Sequence, residues 1–160
     1  MRDDMERVVP LDQLDDYEVA EGDPDVRGWE VLDAHGRRIG EVDNLLVDTA
    51  AMKVRYLDVD LEDDVIGEAR DRHILVPIGY ARLDEAEDHV FVDTLSTEDL
   101  RAMPVYDHAP LTREYETTVR QRFDRGYSGT APERDFYASD LYDSDRFYST
   151  RRTSRDNPLA

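Results

Sequence analysis

EGDPDVRGWEVLDAHGRRIGEV, residues 21–42, changes character at Gly28. Before it lie acids, a proline and a glycine. After it apolar residues begin to alternate. Pro24 holds Asp23 away from the α region, and Gly22 and Gly28 permit positive φ. Gly22, Asp23, Pro24 and Gly28 therefore read as one rigid structural turn that feeds the chain into a strand. From Gly28 onward the period is two, through Trp29 and Val31. Ile39 resumes it beyond DAHGRR, a hairpin loop with Gly36 available for a left-handed position.

The same period continues outward. Ile39 to Val42 leads into LLVD, and after a polar break at 48–51 the run MKVRYLDVDL, residues 52–61, alternates again. Its phase slips near Tyr56, which predicts a bulge. Residues 62–71 form an acidic loop. HILVPIGYARL is a further extended run, with Pro77 confining it to an edge, a strand end or a bulge. Glu85–Asp88 turns, and HVFVDTL is another strand. Five or six short strands in about 80 residues indicate a sandwich or barrel.

LSTEDLRAMP reads as a short helix. Ser96 caps it, Asp99 sits at its third position, Leu95 and Leu100 staple it, and Pro104 ends it. A second helix is predicted over Thr112–Arg125. Leu111, Tyr115, Val119 and Phe123 recur every four residues, a narrow stripe expected to pack on the strands, with a partner surface as the other reading.

The last 34 residues differ in kind. They hold six acids, five arginines and six of the 14 aromatic residues, but few aliphatics. Such a segment has no core of its own. It is either a disordered tail or an arm that docks on its own barrel or on a partner. The residues marked for docking are Tyr115, Val119 and Phe123 on the helix, and Phe136, Tyr137, Tyr142, Phe147 and Tyr148 on the tail. The predicted organisation is a flexible 1–7, a barrel over 8–106, a packed helix over 107–126 and a tail over 127–160.

The chain of 160 residues carries a net charge of −19, with 39 acidic residues against 20 basic ones. Phosphate affinity needs clustered cations, so a nucleic-acid surface is not expected. The charge leaves either a self-repelling surface or an acidic face matched to a basic partner. No window approaches 18 consecutive apolar residues, so no membrane span is expected. The first ten residues show no secretory h-region. A cytoplasmic location follows as the expectation. Cysteine is absent, which removes thiol chemistry and cysteine metal sites.

Local motifs for catalysis are missing. The four histidines, His35, His73, His89 and His108, form no HExxH pattern. DVDLEDD at 58–64 lacks the glycine and the distal glutamate of an EF-hand loop, and Asp140, Asp143 and Asp145 do no better. GxSxG, GxxxxGK[ST] and GxGxxG do not occur. The expectation is a protein without enzymatic activity, cofactor or metal.

VAEGDPDVRGWEVLDAHGRRIGEVDNLLVD, KVRYLDVDL, HILVPIGYARL and VFVDTLSTEDLRAMP occur in this order. Together they resemble the cytoplasmic domain of the H subunit of photosynthetic reaction centres, a PRC-barrel. The resemblance spans residues 14–125. It implies a mainly β fold: a small antiparallel barrel followed by one short and one longer helix, with the low-complexity tail beyond. It also implies a non-catalytic docking role. In that family the barrel caps the quinone side of the membrane-embedded core, supports electron and proton transfer to quinone, and carries acids on the proton route. The family's arginine–aromatic–leucine–glutamate block corresponds to Arg55-Tyr56-Leu57-Asp58, which makes Asp58 a proton-relay candidate with a shorter side chain. The other reading of Asp58 is an ordinary outward strand residue. The expected partner is a protein. In a phototroph this would be the reaction-centre core, with the chain peripheral on the inner membrane. From the seven residues before Val8 no counterpart of the family's anchor helix is expected. The chain is similar, too, to stand-alone PRC-barrel proteins, which implies an alternative outside photosynthesis: a stress-related protein acting through protein contacts or as a homo-oligomer. The same barrel resembles half of a ribosome maturation factor, without that family's additional domain.

Overall fold

The computed structural model describes residues 8–11, 25–33, 35–63, 72–84, 87–92, 97–124, 127, 133–144 and 146–147. Among these lie strands β1 (Val8–Pro10), β2 (Glu30–Leu32), β3 (Arg38–Asp48), β4 (Lys53–Leu61), β5 (His73–Pro77), β6 (Arg82–Asp84) and β7 (His89–Phe91). Helices α1 (Thr97–Ala102) and α2 (Arg113–Phe123) follow. Single 3-10 segments cover Ile78–Tyr80, Glu133–Ala138 and Asp140–Tyr142.

The strands form one sheet in the order β5-β4-β3-β2-β7-β6, with β1 added to β3. The sheet is mixed, not purely antiparallel as expected: β2 and β7 run parallel, Val31 beside Val90. One edge of β2 is taken by β3. The chain reaches the other edge only after passing through β3 to β6, and a crossover of that length delivers a parallel neighbour. Ile74 and Val76 at one end of the sheet share a buried cluster with Leu83 and Val90 at the other. The sheet therefore curls into a half-barrel around that core.

The phase slip near Tyr56 is a bulge. Leu46 and Val47 oppose Tyr56 and Val54, leaving Arg55 as the extra residue. Its effect is to put Val54 and Leu57 into the inner cluster and to send Tyr56 into a second one. A second bulge was not anticipated. Val42 opposes Val59 and Asn44 opposes Asp58, so Asp43 is extra on β3.

The second cluster covers the outer face of β3–β4–β5. Leu46, Tyr56 and Leu75 meet Leu111 and Val119 of the α2 region and Phe136, Tyr137 and Tyr142 of the tail. The helix starts where expected, its N-cap Thr112 accepting a hydrogen bond from the Tyr115 amide. The apolar stripe understates the buried face, because Glu116 and Arg120 are buried as well. Glu116 Oε1 accepts from the Tyr56 hydroxyl at 2.9 Å and from the Tyr137 hydroxyl. Arg120 donates to the Phe136 carbonyl at 2.7 Å, and Arg55 donates to the Tyr142 carbonyl at 3.0 Å. Buried charges are tolerable when paired and hydrogen-bonded in this way. The arginines also stack: the Arg113 guanidinium lies 3.9 Å from the Phe136 ring centre and that of Arg120 lies 3.9 Å from Tyr127. These contacts give the mixture of tyrosine, phenylalanine and arginine a structural use.

Candidate functional site

Asp58 sits in the middle of β4 with its side chain 1% exposed. Its strand neighbours Leu57 and Val59 point into the barrel, so by the period of two Asp58 points outward, beneath the covering layer. Leu75 of β5 lies opposite it, and His73 is two residues further along that strand. The diagonal brings His73 Nδ1 to 2.7 Å from Asp58 Oδ1, a short hydrogen bond.

Two further groups converge. The bulge places Asp43 and Asn44 together against Asp58, re-aiming the Asp43 carboxylate as bulges do. His108 arrives from the loop between the helices, with Nε2 3.4 Å from Asp58 Oδ2. That loop is tied to the edge strand by the Tyr106 amide, which donates to the His73 carbonyl at 2.8 Å. The His108 ring packs edge-on against His73, centres 4.7 Å apart, and at a tilt against Tyr106. His108 holds φ +69°, a conformation uncommon outside glycine. Ligand-capable atoms of Asp43, Asp58, His73 and His108 all lie within 4.8 Å of one another. Burial is graded: Asp58 is closed off, His73 is half-buried, and Asp43 and His108 face solvent.

The electrostatics follow from this placement. Burial pushes the Asp58 carboxyl above its ordinary value. The hydrogen bond to His73 and the charges of His73 and His108 oppose that push in part, while Asp43 adds to it. Burial alone would lower His73, but its bond to Asp58 and the nearby charges of Asp58, Asp60 and Asp43 outweigh it, and the imidazole is raised. The pair holds on to a proton. Asp58 Oδ2 has essentially no solvent contact and no hydrogen-bond partner among the described residues.

Of the residues singled out in the sequence, Asp58 points outward from β4 and is buried at the centre of this cluster. Gly28 has φ +91°, the left-handed conformation the turn reading requires; Gly22, Asp23 and Pro24 lie outside the described residues. Val119, Phe136, Tyr137, Tyr142 and Phe147 are all buried within the chain's own clusters. Tyr115 and Phe123 are partly buried against them, and Tyr148 lies outside the described residues. The aromatics of 136–147 thus pack on the chain's own barrel. His73, His108 and Asp43 were not linked to Asp58 by sequence. They are separated along the chain, and only the strand register and the bulge join them.

A family model described as PRC-barrel domain matches residues 18–99. That span begins before the turn at Gly28 and runs through all strands from β2 to β7 into α1. It includes Asp43, Asp58 and His73 and stops short of His108, so three quarters of the cluster stand on the barrel proper and one member on the extension that follows it. With the curled sheet, the register and this match in agreement, the chain belongs to the PRC-barrel family.

Proposed function

We propose that this chain is a non-catalytic docking protein that acts through the exterior of its barrel on a protein partner. The supporting observation is that the β3–β4–β5 layer is packed on both faces by the chain's own side chains. A sheet filled on both sides presents surface to other molecules, and here the chain carries a net charge of −19. Such a field selects and accelerates encounter with a basic partner face. Among the described residues no helix is long and apolar enough to cross a membrane. In a phototrophic cell the resemblance points to the quinone side of the reaction-centre core, with the relay role of Asp58 belonging to that version of the reading. The test is capture of solubilised host membranes on the immobilised chain. Co-purification of pigment-bearing core polypeptides, released by raised salt, is the expected result. Capture of no integral membrane protein overturns the reaction-centre version.

A second reading is a stand-alone barrel outside photosynthesis, acting through protein contacts or self-association; that it stands alone is favoured by the tail. Residues 136–142 already cover the outer face that a partner would otherwise occupy. Sedimentation of the intact chain over a wide concentration range decides this one. Mass rising with concentration supports self-association, and a monomer throughout removes it.

A further inference from the structure

We propose that Asp43, Asp58, His73 and His108 form a binding site for one divalent transition-metal ion of the zinc class. Four potential ligands from four separate segments lie with their donor atoms within 4.8 Å of one another. A tetrahedral zinc site with bonds of about 2.0–2.1 Å sets its ligands roughly 3.3 Å apart. The 2.7 Å and 3.4 Å separations already bracket that spacing, and the members farthest from burial, Asp43 and His108, are the ones free to close the remainder. Two imidazoles and two carboxylates match the nitrogen and oxygen preference of zinc, cobalt or nickel, and not the all-oxygen shell of calcium or magnesium. Two carboxylates with neutral imidazoles carry −2, which a divalent ion balances.

The second, independent observation is the buried Asp58 Oδ2. It faces into the cluster, has essentially no solvent contact and accepts no hydrogen bond among the described residues. A buried carboxylate oxygen that accepts no hydrogen bond is costly; its nearest charged neighbour is His108 Nε2 at 3.4 Å, and a cation between Asp58, His73 and His108 would satisfy it. The backbone is arranged for the same convergence. The bulge at Asp43 presents a second acid to Asp58, and the Tyr106–His73 hydrogen bond fixes the segment that carries His108. The exposed side of the cluster provides the path by which an ion enters.

The experiment uses the full untagged chain, stripped with chelator, titrated calorimetrically with zinc chloride at neutral pH. Cobalt(II) replaces zinc for visible spectroscopy. One ion per chain is expected, with a cobalt spectrum of a low-coordinate site containing imidazole. Asp43→Asn and His108→Asn should each weaken zinc binding at least tenfold. Asp43 is exposed, so melting of Asp43→Asn in chelator should match the parent; asparagine tolerates the left-handed backbone of His108. Absence of stoichiometric binding overturns the site. Binding that neither variant weakens, or that calcium at equal concentration abolishes, also overturns it, because the ion is then held by acids elsewhere on the surface.

Discussion

Gly28 shows how far one residue can be read. Its φ of +91° is paired with an amide that donates to the Val42 carbonyl at 2.7 Å, locking the turn onto β3. A side chain there would meet no neighbouring atom within 4 Å, so any penalty is one of backbone conformation and not of crowding. Gly28→Val is expected to destabilise the chain by more than about 1 kcal/mol, read as a lowered midpoint in urea. An unchanged midpoint would mean that the turn contributes nothing. This position was legible because a glycine after an Asp-Pro step has a local physical meaning. Asp58 was legible only as a member of a block. His108 was not legible at all: nothing near it in the chain indicates that it ends beside a carboxylate 50 residues earlier, since the loop's bond to β5 decides that.

Elements were easier to read where their period was strong. β3 and β4 are the longest strands, of eleven and nine residues, and the slip near Tyr56 marked a true bulge. Direction was not legible, because the parallel pairing of β2 with β7 depends on which edge is vacant and not on either strand's pattern. The tail posed the same difficulty. Its aromatics announce burial, but they land on the face of β3–β4–β5 and α2, and the chain can approach there because of Gly79, two residues past Pro77. A Cβ on Gly79 would lie 1.9 Å from the Asp140 carbonyl oxygen and 2.9 Å from the Leu141 carbonyl carbon. Backbone meets backbone there, so no rotamer change relieves the clash. Gly79→Ala is therefore expected to lift the 140–142 turn and draw Tyr142 from its place beside Tyr56, where the rings are 5.3 Å apart. Loss of one buried aromatic costs about 3 kcal/mol or more. The variant should melt earlier and be cut by chymotrypsin at tail aromatics that the parent protects. Equal protection in both would show that the tail does not rest on this strand end.

At the scale of the whole molecule, the packed outer layer makes stability depend on phenols. Burial, followed by neighbouring Tyr142, Glu116 and Tyr137, raises Tyr56 well above its ordinary value. Burial and then Glu116 raise Tyr137. Burial raises Tyr142 too, against a lowering bond from Tyr56. All three phenols keep their protons in the folded chain at a pH where the unfolded chain gives them up. The sign follows: their contribution is intact below the unfolded tyrosine value, about pH 10, and is lost progressively as pH rises above it. Each such phenol removes about 1.4 kcal/mol per pH unit, so three acting together remove about 4. Domains of this size are stable by about 5–15 kcal/mol, and unfolding within roughly one to four units above pH 10 is the consequence. The arginines of the layer retain their charge over most of this range and do not soften the fall. Circular dichroism and tyrosinate absorbance followed together should show a late, cooperative rise in absorbance that coincides with loss of the sheet signal. A smooth titration of every tyrosine near pH 10 with the sheet intact would mean that the outer layer does not exclude water. The barrel would then be open on that face, and the case for a solid docking module would lose the packing on which it rests.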